Sequence, residues 1–179
     1  MDSDVLPQNT PLATYFRELQ TQVGQVKTRP LGSLDRVAIQ RYALTIGATD
    51  PVHFDLDAAK AAGYRDVVAP PNMLAGTFEW GLGTPESELN RDGTPDRGSP
   101  ASRELRGMGA GEEMTIASPV VAGDEIVLDE IVDSVVAKQT RGGPCVFVTT
   151  AHIFKAPSGE IYNHNRRTIV LRNPHEESE

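Results

Sequence analysis

Apolar positions recur three and four residues apart over the first half of the chain and every second residue over the last third, a change of period that separates helix from strand. Near the amino terminus Leu12, Tyr15, Phe16, Leu19 and Val23 fall on one stripe. Thr10 is suited to cap that stripe, Pro11 to its first turn and Gly24 to its stop, so a helix is predicted that packs on the domain's own surface or, failing that, on a second chain. Residues 26–32 read as a short extended segment. Ser33 then stands where it can cap a helix in which Ile39, Tyr42, Ala43 and Ile46 share a face before Gly47 ends it. A further short helix is predicted over 56–62, stopped by Gly63. Residues 70–80 open with Pro70 and Pro71 and are apolar on most faces, which predicts a buried central helix.

From 112 onward the pattern is strand-like. Segments 112–117, 125–137, 144–154 and 161–171 are rich in Val, Ile, Thr and aromatics, and turns at 121–124, 140–143 and 156–159 separate them. The prediction is an antiparallel meander and, with one buried helix before it, an α+β architecture in which a sheet wraps a helix. Residues 83–103 carry Gly, Pro, Ser and charge without periodicity and read as a long surface loop. Gly107, Gly109 and Gly111 form a Gly-x-Gly-x-Gly run with no clear strand before it and no capped helix after it, so strand flexibility explains it better than nucleotide binding. The acidic tail 173–179 is expected to fray.

The chain has 179 residues, enough for one domain with a core of ordinary size. Its formal charge is −8 and its Lys and Arg are scattered, so the clustered basic face that nucleic acid requires is missing. Cys145 is the single cysteine, in a valine-rich stretch, which leaves no disulfide framework and fits a buried thiol in a reducing compartment. No apolar run reaches the length of a membrane span and the first residues are unlike a cleavable signal, so the expected location is the cytoplasm.

Candidate chemistry concentrates at 46–55, Ile-Gly-Ala-Thr-Asp-Pro-Val-His-Phe-Asp. Pro51 restrains its own φ and that of Asp50, so Asp50 and His53 sit in an ordered bend that is able to aim both at one substrate. A neutral imidazole beside a carboxylate is the minimal kit for general acid–base chemistry; the bland alternative is that His53 packs under the turn. His152 and His164 fall within predicted strands without metal-ligand spacing, and no metal is expected. The tract 163–167, Asn-His-Asn-Arg-Arg, is polar for a strand; it either meets a phosphate-bearing cofactor or, the favoured expectation, faces water.

Taken together, the motif at 47–55, the Ala-rich helix ending at Gly63-Tyr64 and the run Val67-Val-Ala-Pro-Pro-Asn-Met73 resemble the MaoC-like, or (R)-specific enoyl thioester hydratase, family. The wording is nearest to its FAS1-like dehydratase branch. Gly47, Pro51, Val52, His53 and Asp55 match the family motif, whereas Ala48 replaces its catalytic aspartate and Asp50 its asparagine. The resemblance implies a hot-dog domain over 31–172, preceded by an extension with an accessory helix over 1–30. It implies reversible hydration of a trans-2-enoyl thioester, or dehydration of a 3-hydroxyacyl thioester, on CoA or acyl carrier protein, with no cofactor. His53 and Asp50, with Asp55 a weaker substitute, are then the catalytic candidates, and the backbone of Asn72 and Met73 would polarise the thioester. Pairing with a like or related hot-dog chain is implied too. The rivals are a non-catalytic thioester-binding subunit beside a catalytic partner and a hot-dog thioesterase using Glu79.

Overall fold

The computed structural model describes residues 5–81, 83–90, 93, 95 and 99–174. An antiparallel sheet of five strands forms its frame: β1 (Val26–Ser33), β2 (Arg106–Ile116), β3 (Glu125–Thr140), β4 (Gly143–Lys155) and β5 (Ile161–Arg172). Strands β3, β4 and β5 make the expected meander. The position of β2 corrects the rest of that expectation, because it pairs with β5 and the order across the sheet is β1-β3-β4-β5-β2. The physical reason lies in residues 117–124, which form no hairpin but cross the molecule beside the segment 67–69. The Ala69 amide donates to the Val120 carbonyl at 2.8 Å and the Ala122 amide to the Val67 carbonyl at 3.0 Å. Val120, Val121 and Ala122 are buried in this crossing.

Residues directly opposite one another in an antiparallel sheet share a face, so the register shows what lies under the helices. One row runs Leu128, Phe154, Asn163, Ile116; the next Glu130, His152, Asn165, Met114; the next Val132, Thr150, Arg167, Glu112. Two further rows, Val135–Val148–Ile169 and Ala137–Val146–Leu171, are apolar. The helix-covered face therefore has an apolar patch at each end and a polar band between them. Helix α1 (Pro11–Gln20) covers one end: Thr10 caps it by accepting from the Ala13 amide at 3.2 Å, and Leu12, Phe16 and Leu19 pack with Val135, Val148 and Leu171. The accessory helix thus docks on the domain's own sheet.

Helix α2 (Arg36–Thr45) is capped by Asp35, which accepts from the Ala38 amide at 3.0 Å, and not by Ser33, which is the last residue of β1. Gly47 follows it at φ +71°, a conformation that favours glycine, and turns the chain into the His53 bend. Helix α3 (Leu56–Ala61) ends before Gly63 as expected.

The central helix is shorter than the sequence predicts. Helix α4 spans only Met73–Gly76, and a separate 3₁₀ turn, Phe78–Trp80, follows it. Gly76 and Thr77 are poor helix formers, and the Thr77 hydroxyl bonds back to the Met73 carbonyl at 3.1 Å. An added Cβ at Gly76 would lie 3.0 Å from the Tyr42 hydroxyl, so α4 and α2 approach through glycine. Met73, Leu74 and Ala75 pack with Leu34, Ile39, Leu128 and Phe154 in the core at the other end of the sheet.

Within the stretch expected to be a loop, 83–103, a short α5 (Pro100–Arg103) packs Ala101 against the α1 core, while 91, 92, 94 and 96–98 lie outside the described residues. So do 175–179, most of the tail expected to fray. No helix among the described residues is long and apolar enough to cross a membrane. A sheet wrapped on a short buried helix is the hot-dog arrangement.

Candidate active site

His53 is the last residue of a 3₁₀ turn, Pro51–His53, whose cap is Asp50: the Asp50 Oδ1 accepts from the Val52 amide at 3.1 Å. Two bonds lock this turn to the 67–69 segment. The Val68 amide donates to the Val52 carbonyl at 3.0 Å, and His53 Nδ1 lies 2.7 Å from the Val68 carbonyl. Because a carbonyl oxygen only accepts, that contact places the imidazole proton on Nδ1 and leaves the Nε2 lone pair free. Gln40 adds a third tie by donating to the Phe54 carbonyl at 2.7 Å.

A cavity of about 320 Å³ opens here. Its apolar wall includes Val68, Ala69, Pro70, Pro71, Leu74 and Val120, and its polar groups are Asp50, His53, Tyr64, Ser118, Tyr162 and Asn163. The structure thus brings both catalytic candidates, Asp50 and His53, to one cavity. Asp55 is not among the lining residues; its carboxylate caps α3 through the Ala58 amide at 2.7 Å. Asn72 and Met73 do not line the cavity either. The Met73 amide donates to the Pro70 carbonyl at 2.9 Å, in the turn that opens a helix of four residues.

Four cavity groups were missed from the sequence: Tyr64, Ser118, Tyr162 and Asn163. Burial, with the charges of Asp124 and Glu160, pushes the Tyr162 phenol above its ordinary value, so it stays a neutral donor. The expectation that 163–167 faces water is also corrected. Asn163 and Asn165 are 1% and 0% exposed, and with Arg167 they form the inward side of β5 beneath α4. Asn163 Nδ2 donates to the Pro71 carbonyl at 3.3 Å, and Arg167 donates to the Ala75 carbonyl at 3.3 Å. Period-two counting from the buried Tyr-Asn start of β5 was the available signal.

Glu79 is 5% exposed in the polar band, with Arg167 Nη1 at 2.9 Å from one carboxylate oxygen and His152 Nδ1 at 3.1 Å from the other. Burial alone would push this carboxyl up, but the bonds from His152 and Arg167 together hold it below the ordinary carboxylate range. Each oxygen is thus tied to a neighbouring side chain, and Glu79 is not among the residues lining the His53 cavity. Among the described residues no group of three or more His, Cys, Asp or Glu is placed to hold a metal.

The profile of the FAS1-like dehydratase domain region matches residues 21–161. A UPF0336 protein of Parafrankia sp. (strain EAN1pec) is 34% identical over 137 residues, covering 76% of this chain and 82% of that protein. A "probable enoyl-CoA hydratase alpha subunit" of Thermomonospora curvata is 28% identical over 174 residues, with 89% of this chain and 52% of that protein aligned. The ChsH1-ChsH2 complex from Mycobacterium tuberculosis contains a chain with the same fold, at TM-score 0.67 and 19% identity, covering 92% of this chain and 95% of that one. MaoC-like dehydratases and (R)-hydratases share the fold as well. With most of its length inside that profile, the chain belongs to the FAS1-like dehydratase domain family.

Proposed function

We propose that this chain binds a trans-2-enoyl or 3-hydroxyacyl thioester of CoA or acyl carrier protein and interconverts the two by adding or removing water, with His53 as the proton-carrying group. The observation behind this is the His53 Nδ1 bond to the Val68 carbonyl at 2.7 Å, which fixes the tautomer and leaves a basic Nε2 beside a largely apolar cavity. Such a cavity suits an acyl chain, and a base at its edge suits the carbon next but one to the thioester. Asp50 holds its turn with one oxygen and lines the same cavity, where its carboxylate is the second candidate acid–base group.

The active unit in this proposal is a dimer, with a second copy or a related hot-dog chain. β2 is an edge strand exposed along nearly its whole length, and Ile116 at its end, 44% exposed, also lines the cavity. An uncovered strand of this length is an open row of backbone donors and acceptors that a partner strand satisfies.

One observation favours a second reading, a thioester-binding subunit whose chemistry is done by a partner chain: Ala48 stands where the family motif has its aspartate, and Asp50 is occupied as a turn cap. The relative named an alpha subunit and the two-chain ChsH1-ChsH2 complex are consistent with it. The thioesterase rival is weakened by the two bonds that occupy Glu79. The deciding experiment follows an enoyl-CoA by absorbance and by the mass gain of one water, first with the purified chain alone and then with a related hot-dog chain added. Turnover by the chain alone supports the hydratase; turnover only on mixing supports the subunit; binding with free thiol release points to the thioesterase.

A further inference from the structure

We propose that Asn163 is a substrate-contacting residue, whose Oδ1 accepts a hydrogen bond from the O–H that joins or leaves the acyl chain; this rests on the hydratase reading above. Asn163 lines the His53 cavity from β5 and is 1% exposed. Its Nδ2 donates to the Pro71 carbonyl at 3.3 Å, which fixes which end of the amide is oxygen. The Oδ1 at the other end has no hydrogen-bond partner. A buried acceptor without a donor is costly, so a donor supplied by a ligand is favoured there.

The chemistry calls for such an acceptor. When water adds to an enoyl thioester, its oxygen bonds to C3 while the C2–C3 π electrons move toward the thioester carbonyl. One water proton passes to His53 Nε2 and is then returned to C2. The second proton stays on the new 3-hydroxyl, and in an apolar cavity it needs an acceptor from start to finish. Position 48 has no side-chain acceptor, and the Asp50 carboxylate holds the turn through Oδ1 and is itself a candidate proton carrier. The hydroxyls of Tyr64, Ser118 and Tyr162 both donate and accept and so do not select for a ligand O–H. An amide oxygen only accepts, and Asn163 therefore favours a hydroxyl over a bare methylene at C3.

Calorimetric titration with 3-hydroxybutyryl-CoA and with butyryl-CoA, which lacks the hydroxyl, tests this. The wild-type chain should bind the hydroxyacyl thioester about tenfold tighter, as expected for a site built around a buried hydroxyl. Asn163→Leu should lose that preference while butyryl-CoA affinity stays within about twofold, the latter also reporting a folded cavity. Asn163→Asp, which keeps acceptor oxygens but loses the donor to Pro71, should retain the preference; should the leucine variant not fold, Asn163→Ala takes its place. Retention of the preference in Asn163→Leu, its loss in Asn163→Asp, or equal binding of the two thioesters by the wild type overturns the assignment and leaves the hydratase reading standing. Failure of the wild type to bind either thioester overturns both.

Discussion

His53 Nδ1 and the Val68 carbonyl, 15 residues apart in sequence, stand 2.7 Å from each other, and this contact joins the proline-fixed turn to the segment that leads into the central helix. It sets the imidazole tautomer, so the candidate base is aimed by backbone and not by a flexible side chain. Because the Val52 and Val68 main chains are also bonded to each other at 3.0 Å, the turn does not depend on the ring to keep its place.

Removing the imidazole should therefore separate fold from chemistry. His53→Ala is expected to lower enoyl thioester hydration by about 10²- to 10⁴-fold, the usual range for a general base, with little change in melting temperature. Calorimetric melting beside a steady-state assay checks both halves. A large fall in melting temperature with an unchanged rate in the folded fraction would assign His53 a packing role.

Asp50 carries two separable properties, a cap acceptor and a negative charge. Asp50→Asn keeps an oxygen for the Val52 amide and removes the charge, so the turn should stay intact. Turnover should fall by about 10²-fold or more, the contribution typical of a positioned acid–base group. Asp50→Ala should add a loss of stability of about 1 kcal/mol, typical of a lost cap. Equal turnover in Asp50→Asn and wild type would remove Asp50 from the chemistry.

The buried Glu79 makes stability pH-dependent in a definite direction. Its carboxyl is held below its ordinary value of 4.5 by His152 and Arg167, against the upward push of burial. A carboxyl depressed in the folded state contributes stability that is complete above the unfolded value and is lost as pH falls through the folded one. Melting temperature should thus drop as pH is lowered below about 4.5 and do so less steeply in Glu79→Gln, which at neutral pH should be destabilised by about 1 kcal/mol, since Arg167 keeps Glu112 and the Ala75 carbonyl as partners. Parallel melting curves for the two proteins across this range would sink the assignment.

How legible all this was depended on whether the determining force is local. The strands β3 to β5, the Thr10 cap and the His53 turn follow from side-chain period and from proline and glycine chemistry, and they lie where the sequence places them. The partner of β2 did not follow, because crossing the molecule at 117–124 is driven by burial of Val120 and Ala122 against distant segments. Nor did the end of α4, where Arg167 takes the Ala75 carbonyl that a longer helix would use and the Thr77 hydroxyl bonds back to the Met73 carbonyl. In the site, local order joined Asp50 to His53, whereas Tyr162 and Asn163 come from a strand more than a hundred residues away. Their polar run looked solvent-facing until the register put alternate members beneath the helix.

Position 48 decides between enzyme and subunit. Its amide bonds to the Ala43 carbonyl at 2.9 Å as α2 ends, so the backbone there is held by main-chain bonding that a substitution leaves in place, and the family motif has an aspartate at the same position. The double substitution Ala48→Asp with Asp50→Asn restores that motif and keeps the cap oxygen at position 50. If the chain is an enzyme working with His53 and a neutral acceptor, the restored carboxylate should raise hydration by about tenfold or more, within the range a positioned acid–base group supplies. Thioester affinity measured by calorimetry should change little, because the acyl wall of Val68, Pro71 and Leu74 is untouched. If instead the wild type binds enoyl-CoA without hydrating it, and the double variant hydrates it only in the presence of a related hot-dog chain, the chemistry belongs to that partner and this chain is its thioester-binding half.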